Sequence, residues 1–383
     1  MLLYVHIPFC KKKCRYCAFT SFEGQESQAE KYVELLLKEA EDRKTEFIED
    51  VDTIFIGGGT PSLLSPELIM HLTGILYEIL PSGRPEEITI ESNPGTVTEQ
   101  WVSAAAKAGI NRLSLGMQAF QPELLKVLGR IHKYDEVEIT VQLARAYGIN
   151  NINIDLIFGI PGQNLEQWIE TLDKTLALDP EHISTYGLIP EEDTPMKTDL
   201  DNGRINLPDP DLERTMYDKA ISMLAIRGFR QYEVSNFAKP GFECRHNTGY
   251  WKQIPYVGLG LSAASMEILQ SGEKGMICRR RTNPGCFADY ERMIFEHSGP
   301  DDEVFVSPLE ARFETMMLGL RMNEGVDENR FEKMHGIGIE EVFGEKLHLL
   351  EAKGLVTHSG YAWKLTRRGF DIQNSILVEL MDE

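Results

Sequence analysis

Three of the six cysteines in this 383-residue chain, Cys10, Cys14 and Cys17, stand together near the start in the spacing Cys-x3-Cys-x2-Cys. Thiolates are soft ligands that suit zinc or an iron–sulfur cluster. A closed zinc site takes four ligands. Only three cysteines are local, and His6 lies too close to the preceding strand to be an obvious fourth. Three thiolates with one position open suit a reactive cluster, whose open iron can hold a cofactor. Lys11, Lys12, Lys13 and Arg15 put positive charge beside the sulfurs and should help to keep them deprotonated. The plainer alternative is a zinc knuckle or unligated thiols. Cys278 and Cys286 fit no ligand spacing and read as structural thiols, and the methionines as core filler.

Other reactive residue types stand where apolar runs end. Gly57-Gly58-Gly59-Thr60-Pro61-Ser62 follows the run Thr53–Ile56. Glycines let a backbone approach a ligand closely and expose N–H donors, although a tight strand–helix turn would need them too. Glu91-Ser92-Asn93-Pro94 closes the next run. A carboxylate at that edge would point into the mouth of a βα barrel, where active sites gather; the alternative is a solvated charge or helix cap. Gln118 ends the fourth run, Tyr186-Gly187 the sixth, and Asp155 lies within the fifth. A lone buried acid is costly, and Arg130 is its expected partner.

The elements that must position these residues alternate. Strands are expected at Leu2–Ile7, Thr53–Ile56, Ile88–Glu91, Arg112–Leu115, Ile152–Phe158 and Ile183–Leu188, separated by amphipathic stretches. That is the pattern of repeated βα units and a parallel sheet. Ser27 with Glu30 suggests a capping box, Ser65-Pro66-Glu67 a capped start, and Thr98 and Asn164 further caps. Leu212–Ile226 reads as a helix and Gln231–Phe237 as a strand. Beyond Ser307 the expectation is three helices (Pro308–Arg321, Glu328–His335, Ile339–Lys353), a hairpin over Leu355–Leu365 and a last helix over Arg368–Leu380.

The cysteine loop after a first strand resembles the radical SAM superfamily. The preceding Tyr4-Val5-His6-Ile7-Pro8-Phe9 is similar to the anaerobic coproporphyrinogen-III oxidase-like family, which holds both an oxygen-independent coproporphyrinogen III dehydrogenase and a branch of heme chaperones. The resemblance covers essentially the whole chain. It implies an α/β fold: a partial (β/α)6 radical SAM barrel over residues 1–228, a connecting segment over 229–306 and a C-terminal, mainly helical, winged-helix-like domain over 307–383. It implies a [4Fe–4S] cluster on Cys10, Cys14 and Cys17, with S-adenosylmethionine (SAM) chelating the fourth iron. Tyr4, Tyr16, Gly58, Gly59, Thr60, Glu91, Gln118, Arg130, Asp155 and Gly187 are the implied cofactor contacts, the glycine turn serving the SAM amino group. Gln118, Arg130 and Asp155 would surround a second SAM or the active-site cavity.

Two departures set this chain apart from the dehydrogenase. A fourth cysteine would stand two residues after the third, where the chain has Phe19, and a longer arm would precede the cluster loop. The residue after the third cysteine, often acidic in the family, is Ala18. His246-Asn247-Thr248-Gly249-Tyr250-Trp251 resembles the HNxxYW motif that marks the heme chaperones. It implies His246 as an axial heme ligand, Cys244 as a second candidate, Tyr250 and Trp251 on a porphyrin face and Arg245 on a propionate. The bland reading is a polar loop packing its aromatics on the barrel. The implied function is a heme chaperone that passes heme to an acceptor, expected to be a membrane-associated heme protein, rather than an enzyme. The alternative is radical SAM decarboxylation of coproporphyrinogen III. Oligomerisation is left open.

A net charge of −21 opposes the phosphate neutralisation that nucleic-acid binding needs, so no nucleic-acid partner is expected despite the winged-helix-like end. No apolar run reaches the roughly 20 residues that span a bilayer. The N-terminus lacks a charged leader with a long apolar core. A cytoplasmic location is expected, where clustered thiols serve as ligands rather than disulfides.

Overall fold

The computed structural model describes residues 1–81 and 83–381. Six parallel strands form its frame: β1 (Leu2–Ile7), β2 (Thr53–Gly58), β3 (Glu87–Ser92), β4 (Arg112–Gln118), β5 (Asn151–Phe158) and β6 (His182–Gly187). The helices that cross between them are α1 (Ala29–Asp42), α2 (Pro66–Ile79), α3 (Glu99–Lys107), α4 (Tyr134–Ala146) and α5 (Leu165–Ala177), with α6 (Pro210–Ile226) after β6. This is the expected partial (β/α)6 barrel. Ser65, Thr98 and Asn164 cap α2, α3 and α5 through their side chains. Ser27 does not cap α1. It lies in a short 3-10 turn, and the residue at the cap, Gln28, bonds Gln25 at 2.8 Å.

Along each strand two kinds of residue alternate. Ile54, Ile88, Leu113, Ile152, Ile154 and Ile183 pack outward in one large core shared with the helices. Arg112, Ser114, Asn153, Asp155, His182 and Ser184 line a cavity inside the barrel. The lumen is therefore polar, unlike the branched apolar filling usual in a closed barrel. Asp155, expected in an apolar strand, belongs to the polar half of a period-two pattern.

The segment expected to connect two domains instead extends the sheet. β7 (Tyr256–Leu259) pairs in parallel with β1, and β8 (Ala264–Gln270), β9 (Ile277–Thr282) and β10 (Asp302–Val306) follow antiparallel. Among the described residues twelve strands form one sheet, with β1 well inside it. Gln231–Phe237 is not one strand: Arg230–Gln231 and Asn236–Ala238 fold back on each other. Tyr217 holds the turn by donating to the Val234 carbonyl at 2.8 Å.

The C-terminal region has its own core, with Phe331, Leu347 and Trp363 at its centre. Helices α8 (Pro308–Gly319), α9 (Glu328–His335) and α10 (Ile339–Ala352) pack with a three-stranded wing in which Val326–Asp327, from between α8 and α9, pairs with Ala362–Leu365 and that in turn with Val356–Ser359. The expected last helix is two, Arg367–Asp371 and Gln373–Met381, interrupted at Ile372.

Candidate functional site

The C-terminal ends of the parallel strands open on a cavity of about 520 Å³. Cys10, Cys14 and Cys17 stand on one wall, Gly58, Gly59 and Glu91 on the next, and Gln118, Arg130, Asp155 and Gly187 opposite, with Tyr16 between. The loop that carries the cysteines is pinned to the barrel by backbone. Arg15 donates its N–H to Leu128 and accepts from Met196, at 3.0 and 2.9 Å. The Arg15 guanidinium pairs with Asp199, so it does not serve the sulfurs. Lys13 reaches the Phe19 carbonyl at 3.0 Å. Burial pushes the Cys10 and Cys17 thiols up. Lys13 opposes the rise at Cys17, so a neighbouring cation acts there in the expected direction but is outweighed by burial.

The glycine turn is as close-packed as a turn can be. A Cβ on Gly59 would lie 2.7 Å from the Phe9 carbonyl oxygen, and one on Gly58, at φ +111°, would strike the His6 ring. Its N–H groups are spent internally: Gly59 donates to Ile7 at 2.8 Å and Thr60 to Phe9 at 2.7 Å. Gly58 donates to Glu91 Oε2 at 2.9 Å. What the turn can offer a ligand is its carbonyl side, which suits an ammonium better than an anion. Burial lifts the Glu91 carboxyl to about 7, with nearby Asp155 adding to the rise and the Gly58 N–H opposing it.

A hydrogen-bonded chain ties the cysteine loop to the strands. Thr60 Oγ1 donates to Cys10 Sγ at 3.7 Å, Asn93 Nδ2 donates to Thr60 Oγ1 at 2.9 Å, and Arg130 donates to Asn93 Oδ1 at 2.5 Å and to the Tyr16 hydroxyl at 3.2 Å. Asn93 is the functional residue that the sequence reading quoted in a motif without giving it a role. Arg130 does not pair with Asp155. The carboxylate accepts instead from Ser114 at 2.9 Å and Asn153 at 2.8 Å. Gln118 sits at φ +65° on a β-bulge beside Gly116, which turns its side chain toward Arg130. Thr60 is buried and lines a smaller cavity beside this one, together with Cys14, Asn93 and Arg130. Tyr4 is deeper still, donating to His6 Nδ1 at 3.0 Å, while His6 Nε2 bonds the Thr20 carbonyl at 2.7 Å. His6 is thereby fixed in one tautomer and is not a fourth ligand.

Beneath this cavity lies a second of about 170 Å³, which shares Glu91, Ser114, Asp155 and Tyr186 with it. Its floor is α7 (Arg245–Trp251), the helix that carries the His-Asn-x-x-Tyr-Trp motif and closes the N-terminal end of the barrel. Glu87, at the start of β3, accepts the N–H groups of Arg245 and His246, each at 3.1 Å. A buried carboxylate on the first turn of a helix satisfies N–H groups that otherwise lack partners. Gly249 lets the helix rest on Leu2.

His246 is 2% exposed, bonded through Nδ1 to Thr53 at 2.7 Å and through Nε2 to Tyr250 at 3.0 Å. Burial, with Arg112 adding, lowers its pKa to about 3. Burial pushes the Cys244 thiol up to about 11, and it donates to Glu87 at 3.6 Å. In this arrangement neither His246 nor Cys244 presents a free ligand atom, and Arg245 pairs with Glu86 at the surface. Trp251, the last residue of the motif, lines a cleft beside the C-terminal domain.

The donor set at the mouth fits a cluster with a small-molecule chelate. Three thiols converge on one wall, and the rest of the cavity offers a carboxylate, carbonyls and an arginine within a volume typical of cofactor sites. Among the described residues no three His, Cys, Asp or Glu side chains are drawn together as tightly as a single metal ion requires.

The sequence profile of the radical SAM superfamily matches residues 4–175, and that of the HemN C-terminal domain matches residues 306–372. The chain is 36% identical to the heme chaperone HemW of Bacillus subtilis over 99% of both chains. It is 35% identical to the heme chaperone HemW of Escherichia coli over 98% of this chain and 96% of that one. It is 31% identical to the mitochondrial radical S-adenosyl methionine domain-containing protein 1 of Mus musculus, over 100% of this chain and 87% of that one. The solved structure of coproporphyrinogen III oxidase (HemN) from Escherichia coli, a radical SAM enzyme, matches with a TM-score of 0.82 at 24% identity, over 99% of this chain and 89% of that one. That last likeness shows the fold.

Proposed function

The chain belongs to the family of the heme chaperone HemW, within the radical SAM superfamily, and from that premise we propose that it carries heme to an acceptor protein while holding a SAM-capped [4Fe–4S] cluster at the barrel mouth. The observation that carries the reading is the meeting of Cys10, Cys14, Cys17, the glycine turn and Glu91 on one cavity. Cys10, Cys14 and Cys17 would hold the cluster, and Gly58, Gly59 and Glu91 the amino end of SAM. When bound, the cluster supplies an iron with one exchangeable position. Arg130, locked by Asn93 and Tyr16, would orient an acidic group of the ligand, and Asp155 a hydroxyl or ammonium. Phe19, exposed at the mouth where a dehydrogenase would carry a further cysteine, supports transfer rather than porphyrin oxidation.

Heme would meet the motif at its outer end, Trp251, with His246, Cys244 and Tyr250 shaping the helix that presents it. The acceptor is a heme protein, membrane-associated in this reading, and the protein works in the cytoplasm. Free thiols at the cluster site need a reducing compartment. Among the described residues no helix is long and apolar enough to cross a membrane. One anaerobically reconstituted preparation tests the proposal by heme titration and coproporphyrinogen turnover in parallel. Heme binding without turnover is expected; turnover without heme affinity would reverse it.

A further inference from the structure

The polar contacts between Arg130 and Cys10 run in one direction. A guanidinium donates and cannot accept. Its bond to Asn93 Oδ1 therefore fixes which end of that amide is oxygen, and leaves Nδ2 to donate to Thr60 Oγ1 at 2.9 Å. The Thr60 oxygen, having accepted, keeps its one proton for Cys10 Sγ at 3.7 Å. Each link is held from behind. Arg130 also bonds the Tyr16 hydroxyl at 3.2 Å. The Asn93 backbone N–H donates to Ser62 Oγ at 3.2 Å, and its carbonyl accepts from Thr96 Oγ1 at 2.7 Å. The Thr60 backbone N–H donates to the Phe9 carbonyl at 2.7 Å, which seats the residue next to the segment that carries Cys10. Thr60 is 2% exposed and Cys10 8%, so bulk water does not compete for the contact.

A cysteine sulfur that ligates iron carries no proton and can only accept. Hydrogen bonds to such sulfurs draw charge away from the iron, favour the reduced cluster and raise its reduction potential. We propose that the Thr60 hydroxyl sets the potential of the cluster through Cys10, with Asn93 as the residue that positions the hydroxyl and Arg130 as the donor that orients Asn93. The inference rests on the cluster reading above and extends it, since it assigns Thr60 to a sulfur and gives Asn93 a role apart from any contact with SAM.

The test is a redox titration of the anaerobically reconstituted, full-length protein, followed by EPR and run without SAM, so that weakened SAM binding cannot produce the result. Thr60→Val keeps the shape of the side chain and removes the hydroxyl. It should disfavour reduction about tenfold, which for one electron lowers the midpoint by about 59 mV, while Thr60→Ser stays near wild type. Asn93→Asp offers Thr60 only acceptors, so the hydroxyl proton turns from Cys10 toward the new carboxylate. Its midpoint should fall with Thr60 still in place, and fall less in the Thr60→Val background, where there is no proton to divert. A wild-type midpoint in Thr60→Val, or an equal fall in Thr60→Ser, overturns the proposal, and equal shifts from Asn93→Asp in both backgrounds overturn the positioning role. Should Thr60→Val hold no cluster, an unchanged midpoint in Asn93→Asp overturns it alone. Failure of wild type to take up iron and sulfide would instead remove the cluster reading itself.

Discussion

The two ends of the barrel are both rich in polar and sulfur groups, yet they are built on opposite terms. At the mouth, the donors are partly open to a cavity: Glu91 is poised near neutrality, and Cys14 and Cys17 are partly exposed. At the base, Glu87, His246, Thr53 and Tyr250 are engaged by hydrogen bonds to one another and to the helix backbone. A βα barrel places its chemistry at one end and its stability at the other. The motif at the base, for all its ligand-like residue types, reads first as the closure that lets the mouth exist.

That contrast can be broken. The largest effect should come from Cys14→Ser with Cys17→Ser: iron and sulfide content fall to background, while the thermal midpoint moves little because these side chains are not core. Next, Gly59→Ala forces a methyl onto the Phe9 and Ile7 carbonyls. SAM affinity, read from the SAM-induced change in the cluster's EPR signal, should drop well over tenfold.

His246→Ala tests the base. It removes one buried and one part-buried hydrogen bond and the ring 5.2 Å from Phe55, at a cost of about 2–4 kcal/mol in chemical denaturation. Cluster content per folded molecule should stay at wild type; its loss would erase the distinction between the ends.

The fourth effect is one of pH. Because the Glu91 carboxyl titrates near 7 in the folded cavity, above its ordinary value, it favours folding while protonated, and that contribution is lost as pH rises through about 7. A cationic ligand reverses the preference. SAM affinity should therefore fall roughly tenfold per unit as pH drops below 7, and Glu91→Gln should flatten the profile. The smallest effect concerns the outer helices, which serve both ends alike. Ser65→Ala should cost about 1 kcal/mol and Ser27→Ala almost nothing, since only the first caps a helix.

The mouth was legible in the sequence because its parts are local. Each ligand-bearing stretch follows its own strand, and parallel strands deliver their ends to one place. The base was not, because its logic is long-range: Glu87 and His246 are 159 positions apart. The Arg130–Asp155 pair failed for a related reason. Opposite charges suggested each other, whereas Asp155 is held by neutral neighbours, Ser114 and Asn153, and Arg130 bonds Asn93 and Tyr16. The sheet extension was hidden by its own composition: Arg279, Arg280 and Arg281 make β9 look like a solvated loop, although each finds a carboxylate, in Glu267, Glu314 and Glu46.

Strand β1 is held on both sides, by β2 and by β7, and its Leu3, Val5 and Ile7 are wholly shielded from water. The thiol-bearing loop thus hangs from an anchorage that does not depend on metal. Oxygen or chelators that strip the iron should leave the amides of this strand among the slowest to exchange with deuterium, and the damage should be confined to the overhang. Such a protein can lose its inorganic centre and be refilled without passing through the unfolded state.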